Sequence, residues 1–313
     1  SRLVGEAGYE TWGDVPMNER WHVGTWMVPS YDPELNRIFV GTSVTIPAPK
    51  FLLAGNDRTY LYHNSTLALD ADTGKIVWHY QHLVDHWDLD HPFERLLVET
   101  AIAPDPKEVE WINPKVKPGE RRKVVTGIPG KTGVVYTLDR ATGEFLWARP
   151  TIMQNVIKSI DGAGKVTVNP EATFSKMGDT KLICPGAQGG KNWPAGAYNP
   201  RTNVMYMPLQ NLCGNFTVNT DKRDPSKVYG LDFPTIIAPG THKVGAVWAI
   251  SAETGRTLWK YEQRAGVFSL VSTGGGLVFG GDANGRFRAF DERTGKVLWE
   301  QNLGAPVSGY PIT

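Results

Sequence analysis

An all-β fold, a β-propeller of four-stranded antiparallel blades, is predicted from three observations. First, one pattern occurs four times, at Ala68–Trp78, Thr137–Trp147, Ala249–Trp259 and Ala289–Trp299. Each copy is a short strand, a polar Thr-Gly turn and a second strand closed by Trp. Self-similarity with a constant offset is the mark of a repeat architecture. Second, the turns Tyr31-Asp-Pro33 and Tyr198-Asn-Pro200 each lead into a strand rich in β-branched and aromatic residues. Third, 34 Gly, 22 Pro and 11 Trp among 313 residues suit many short strands joined by tight turns.

Taken in order, Tyr31–Gly41 is a turn and a strand, and the first Thr-Gly hairpin follows at Ala68–Trp78. Gly133–Thr137 and Gly276–Gly280 are read as the strands that precede the second and fourth hairpins. Each unit is then an inner strand, a Val/Ile/Phe-rich strand and the two strands around Thr-Gly. The Trp residues at 78, 147, 259 and 299 are expected to pack between neighbouring blades with their indole N–H bonded to backbone. Two long inserts, at roughly 79–121 and 148–197, are where function is expected on a rigid scaffold. The chain reads as about four blades plus partial ones, with 1–313 as one incomplete propeller domain. Ser1–Gly5 and Pro306–Thr313 both look like patterns cut short, so a longer parent is expected. The start has no signal peptide, and in a segment of a longer protein that carries no information on location.

A net charge of +1 and the lack of a basic stripe remove electrostatic support for nucleic-acid or anionic-membrane binding. No apolar run approaches the roughly 18 residues of a membrane helix.

The first insert opens with His82-Leu-Val-Asp-His-Trp-Asp-Leu-Asp-His91, which holds Asp85, Asp88, Asp90 and three His. Carboxylates two apart on an extended segment share a face, so Asp88 and Asp90 could grip one hard cation. A polar loop whose Asp residues cap turns, and a zinc site on the His residues, are the other readings. The His spacing matches no standard zinc pattern. A second cluster, Gly189-Gly-Lys-Asn-Trp-Pro194, offers close backbone approach, the Lys191 cation, the Asn192 amide and the flat face of Trp193. An ordinary loop ahead of the strand at Tyr198 reads equally well. Cys184 and Cys213 are two buried thiols or one disulfide.

These motifs, in this order, resemble the pyrroloquinoline quinone (PQQ) dependent alcohol dehydrogenases: the Thr-Gly-x-x-x-Trp blades, Trp87-Asp-Leu-Asp90, Gly127-Ile-Pro-Gly-Lys131 before Gly133–Arg140, and Gly-Gly-Lys-Asn-Trp193. The resemblance runs from about Glu10 to Pro311 and implies the middle and later blades of an eight-bladed propeller. Residue by residue it implies Asp88 as catalytic carboxylate and metal ligand, and Asp90 as the extra ligand of lanthanide-using members. It implies Trp26 beneath the quinone, Lys131 on the quinone oxygens, and Asn192 and Trp193 at the cofactor. It implies a Cys184–Cys213 disulfide. The metal would be Ca²⁺ or a lanthanide, the substrate an alcohol, the electron acceptor a cytochrome c and the compartment the periplasm. It leaves a homodimer open and brings no nucleic acid. One departure stands out: a metal-ligating Asn of many members falls at or near Val44, which cannot bind a metal. Ser43, Thr45 or Asp90 could compensate. A cofactor-free propeller scaffold of the bacterial envelope, built on the same blades, is the rival reading.

Overall fold

The computed structural model describes residues 4–219 and 227–313; Ser1–Leu3, part of the N-terminal pattern read above as cut short, lie outside them. The chain forms four successive antiparallel sheets. Blade I is Ser30–Asp32, Arg37–Gly41, Ser65–Asp70 and Ile76–Gln81. Blade II is Leu96–Ile102, Glu120–Gly127, Val134–Asp139 and Phe145–Pro150. Blade III is Ala197–Asn199, Val204–Gln210, Gly245–Ser251 and Thr257–Gln263. Blade IV is Val267–Ser272, Leu277–Asp282, Arg286–Asp291 and Val297–Asn302.

Every Thr-Gly repeat is the third and fourth strand of its blade, as the pattern predicts. The turn chemistry explains the pattern. The Oδ1 of Asp70, Asp139 and Asp291 each accepts the Thr N–H and the Thr hydroxyl of its own turn. In blade III Ser251 takes the Asp position, and its hydroxyl accepts the Thr254 N–H at 3.2 Å. The Gly then crosses to φ of 68°, 77°, 69° and 70° at Gly74, Gly143, Gly255 and Gly295, a region closed to most side chains. A β-bulge follows the residue that opens each repeat, which is Ala68, Thr137, Ala249 or Ala289 and stands opposite the Trp. The small opening residue leaves room for the indole across the ladder.

The Trp side chains join the blades. A Cβ on Gly143 would lie 2.7 Å from the ring of Trp78, one on Gly255 3.2 Å from Trp147, and one on Gly295 2.5 Å from Trp259. Each Trp therefore lies on the bare glycine of the next Thr-Gly turn along the chain. The three largest core clusters are these interfaces. One joins Phe39, Trp78, Tyr136 and Phe145. The second joins Trp147, Met205 and Ile250, and the third Tyr206, Trp259 and Phe290.

Three expectations need correction. Trp299 is 48% exposed; residues 300–313 contain no Thr-Gly turn to cover its ring. The indole N–H bonds backbone at Trp78 (Arg140 O) and Trp259 (Glu292 O), but that of Trp147 is buried without a partner. Gly133–Thr137 is not a preceding strand. It runs without a break into Leu138-Asp139 as part of the hairpin itself, and Glu120–Gly127 is the second strand of blade II.

The inserts add structure that the repeat does not encode. Trp111–Ile112 extends blade II to five strands. Ile157–Ile160 and Val166–Val168 form a hairpin. Thr180–Ile183 pairs with Leu212–Val218, which also pairs with Leu231–Asp232 and Thr235–Ile237, in a small separate sheet. Cys184 and Cys213 are joined there by a disulfide across a sequence separation of 29.

Two outcomes are expected. Gly295→Ala should lower stability by about 2–4 kcal/mol, adding left-handed strain to overpacking against Trp259. The shift in urea midpoint at constant slope measures it. Replacing both cysteines by Ser should cost about 3–4 kcal/mol by loop-closure entropy. Thiol alkylation in denaturant without reductant should leave the parent mass unchanged.

Candidate active site

The segment from His82 to Arg95 leaves the last strand of blade I and enters the first strand of blade II, so it crosses between the two blades. Trp87 and Leu89 are fully buried in the core between the blades, and the Trp87 indole donates to Ala172 O at 2.8 Å. Asp88 and Asp90 converge instead on Lys131, and they do so through a turn rather than the extended segment expected from the sequence. Asp85 is the residue that caps the turn. Its Oδ2 accepts the N–H groups of Trp87 at 3.2 Å and Asp88 at 3.0 Å, and its Oδ1 that of Leu89 at 2.9 Å. Asp88 lies at φ 67° inside that turn.

Asp88, Asp90 and Lys131 come together. Lys131 Nζ is 2.8 Å from Asp90 Oδ2 and 3.3 Å from Asp88 Oδ2, and it donates to Asp88 O at 3.0 Å. Lys131 is carried by the loop between the second and third strands of blade II, whose backbone docks on the His82–Arg95 segment. Its N–H bonds Asp90 O at 2.8 Å. Gly130 fits there because a Cβ would stand 2.3 Å from the His91 ring. The other oxygen of Asp90 accepts the Val44 N–H at 3.2 Å.

The three groups are nearly buried, and that sets their protonation. Burial pushes Asp88 up to about 8; Lys131 pulls it down, and Asp90 and Asp85 push it further up. Burial alone would depress Lys131, but Asp90 and then Asp88 outweigh it and hold the ammonium above its ordinary value. The two directions are reconciled by the distances. Asp90 is the closer ion-pair partner of Lys131, and Asp88, the more distant one, is the carboxyl that burial pushes up.

The remaining candidates lie around this centre. Trp26 is 46% exposed and meets Phe93 edge to face, with ring centroids 5.5 Å apart. Gly24 and Ser43 bond each other's backbone or hydroxyl, which ties the Trp26 segment to the stretch carrying Val44. The Gly189–Pro194 loop is anchored by Gly190 N–H to Lys131 O at 2.7 Å. Lys191 is buried and bound to Glu94 at 2.7 Å and to the carbonyls of Asn192 and Pro194, so this cation holds the loop. The Asn192 amide donates to Gln188 O and accepts the Trp193 N–H. Trp193 stacks near Phe268 at 6.3 Å. No contact is recorded between Asn192 or Trp193 and the Asp88–Asp90–Lys131 group among the described residues.

The His residues have other roles. His82 bonds Thr66 Oγ1 at 2.7 Å, and His91 bonds Leu89 O and Thr132 Oγ1. Burial holds both well below the ordinary imidazole range, His91 at about 3. Both rings of the pair stack at 5.3 Å. Two buried residues behind the turn had no signal in the sequence. His63 Nε2 accepts the Asp85 N–H at 3.0 Å, and the Lys50 ammonium bonds Ala48 O at 2.7 Å. Burial lowers Lys50 to about 8 against the pull of Asp85. Phe93, which joins Trp26 to the Lys191 loop, was also missed; its ring is 5.4 Å from Lys191 Nζ.

The donor set fits a hard cation in part. Asp88 and Asp90 converge on one positive charge, and their oxygens are the right type. They supply two of the roughly six to eight oxygens such an ion takes. Among the described residues no group of three or more His, Cys, Asp or Glu side chains could hold a metal. Val44 is fully buried, has no side-chain oxygen and gives its N–H to Asp90, while Ser43 Oγ accepts from Gly24 and Thr45 Oγ1 donates to Pro47 O. Trp26 presents an exposed aromatic face and Lys131 a buried ammonium, the residue types a flat, anionic quinone requires.

Comparison with known proteins gives the same picture. The family model for the glucose/ethanol/alcohol dehydrogenase β-propeller domain matches residues 4–159. A model for the outer membrane protein assembly factor BamB matches residues 240–313. The chain is 31% identical over 98% of its length to a lanthanide-dependent methanol dehydrogenase of Methylacidiphilum fumariolicum, of which it spans 48%. It is 30% identical over 98% of its length to a quinohemoprotein alcohol dehydrogenase of Pseudomonas putida, of which it spans 43%. The solved structure of a europium-containing methanol dehydrogenase superposes with a TM-score of 0.81 at 30% identity, over 92% of this chain and 48% of that one. The chain thus spans about half the length of the proteins it matches. With the blades, the carboxylate pair and the lysine in one arrangement, and the similarity extending over nearly all of it, the chain belongs to the family of PQQ-dependent alcohol dehydrogenases.

Proposed function

We propose that the chain is the part of a PQQ-dependent alcohol dehydrogenase that carries the general base, with residues 1–313 forming a segment of one larger propeller domain. The observation that carries this reading is the convergence of Asp88, Asp90 and Lys131 at the crossing between two blades. The match to the assembly-factor model favours a scaffold instead, but it covers the end of blade III and blade IV. Those residues include the repeat and none of Trp26, Asp88, Asp90, Lys131, Asn192 and Trp193. A scaffold has no use for two carboxylates desolvated around one ammonium.

The chemistry asked of each residue is defined. When bound, PQQ with Ca²⁺ or a lanthanide supplies the hydride acceptor and the Lewis acid. Trp26 gives the flat ring an aromatic floor. Lys131, the ammonium nearest the two carboxylates, would offer its hydrogen bonds to acceptor oxygens of the cofactor. Asn192 and Trp193 would hold its rim, which requires the Asn192 amide to give up its bonds within the loop. Asp90 adds a hard oxygen and a negative charge beside the cation, in a site where Val44 gives none. Asp88 accepts the hydroxyl proton of the alcohol as the α-hydrogen departs, and burial keeps its oxygen a base rather than a solvated ion. A cytochrome c then takes the electrons. The disulfide supports an oxidising compartment, the periplasm.

Dye-coupled alcohol oxidation by the full-length protein, with PQQ and either Ca²⁺ or La³⁺, tests the reading; inactivity with every combination across primary alcohols, secondary alcohols, sugars and polyols would sink it. Asp88→Asn should lower kcat by about 10²–10⁴-fold with thermal stability retained. Near-normal turnover would remove the base assignment. Asp90→Ala should abolish any activation by La³⁺ over Ca²⁺ and weaken La³⁺ binding followed by titration of the PQQ-loaded protein.

A further inference from the structure

The mechanism above uses Asp88 but does not explain why Asp88 faces Lys131. A residue at φ 67° is in a region that non-glycine residues rarely enter, at a cost of roughly 1–2 kcal/mol. Something must hold it there. Three successive N–H groups, of Trp87, Asp88 and Leu89, all point inward to one carboxylate, that of Asp85. The Asp85 side chain is fully buried, so no water competes for those donors.

Asp85 is itself fixed from behind. Its N–H donates to His63 Nε2, and His63 Nδ1 bonds Tyr60 O at 2.9 Å, so the ring is held with its proton on Nδ1. Lys50, also fully buried, supplies positive charge near Asp85. Among the described residues, Asp85, His63 and Lys50 form no hydrogen bond or ion pair with Lys131 or Asp90, and all three are buried.

We infer that Asp85 is a positioning residue for the catalytic carboxylate: its two oxygens gather the Trp87–Leu89 amides and so lock Asp88 in the left-handed turn that aims it into the site. The inference rests on the reading of Asp88 as base. Asp85→Asn isolates the effect. The amide keeps one acceptor oxygen and the same shape, but it presents an NH₂ group to backbone N–H groups that must donate, so the turn opens.

The test is a double-mutant cycle in the full-length, PQQ-loaded enzyme. Asp85→Asn should lower kcat by about 100-fold, the size expected when a reacting group is displaced by about 1 Å, with KM for the alcohol within about twofold. PQQ affinity, read by quenching of Trp fluorescence, should stay within about threefold. In the Asp88→Asn background the same change should cost less than about threefold, because a residue acting only through Asp88 has nothing left to position. Asp161→Asn is the control. Asp161 caps a turn in the Ile157–Val168 hairpin, accepting the Ala163 and Lys165 N–H groups at 2.9 Å, and its loss should leave kcat unchanged.

A kcat for Asp85→Asn within threefold of the parent overturns the inference. So does a loss that multiplies with that of Asp88→Asn, or one that falls on PQQ affinity as much as on kcat, since a general structural role gives those results. If Asp85→Asn does not fold, Asp85→Ser, which keeps one hydroxyl acceptor, takes its place with a loss of at least tenfold expected and the same outcomes against it. Normal turnover of Asp88→Asn alone sinks the base assignment instead, which separates the two failures.

Discussion

Three indoles lying on three glycines hold this propeller together. A blade buries its two faces only against its neighbours, so the stability of each sheet depends on the fit of the next one. The Trp that ends one blade supplies a large flat apolar surface, and the Thr-Gly turn of the next presents a backbone with no Cβ to hold that surface away. The two features of the repeat are therefore one interaction seen from both sides. Its glycine is needed twice over, for the positive φ of the turn and for the contact. The core clusters gather at these interfaces, and the inserts are free to vary because they leave the contact untouched.

That rigid frame makes the candidate site affordable in physical terms. Asp88, Asp90 and Lys131 are charged groups held out of water, an arrangement that costs several kcal/mol per ion when left unpaired. They persist because the backbone around them is fixed on every side. Blade II brings Lys131 to the crossing segment, the stretch after the second strand of blade I gives the Val44 N–H to Asp90, and Asp85 gathers the turn beneath. The local charge pattern is two carboxylates to one ammonium at the surface of the site, with Lys50 behind. The charge balance at the site is therefore one negative charge in excess, the sign that a cation would offset.

The Gly189–Pro194 loop illustrates how far residue type can mislead about role. Lys191, Asn192 and Trp193 look alike as polar or flat groups able to meet a cofactor. Lys191 is committed to Glu94 and two carbonyls, and Asn192 to its own loop. The lysine that stands at the carboxylates is Lys131, sixty positions earlier in the chain. Both loops meet through the Gly190–Lys131 backbone bond, so they form one wall of the site.

The sequence by itself determined what is local and periodic. The Thr-Gly offset to Trp set the hairpins, the turn carboxylates and the blade order, because those contacts lie within about ten residues and repeat. The sequence put Asp88 and Asp90 two apart and so marked them as partners, but it is a turn capped by Asp85, not an extended strand, that brings both to Lys131. What the tertiary structure decided is everything that joins distant segments. Trp299 carries the repeat and is exposed, since residues 300–313 bring no Thr-Gly turn onto its ring. Gly133–Thr137 looked like a separate strand until pairing made it half of a hairpin. Val44 enters the site through a backbone N–H, which no residue name reveals. His63 and Lys50 reach Asp85 only because the chain returns beneath the turn. Burial, which raises the Asp88 carboxyl above the ordinary carboxylate range, belongs to no residue and exists only once the blades pack around it.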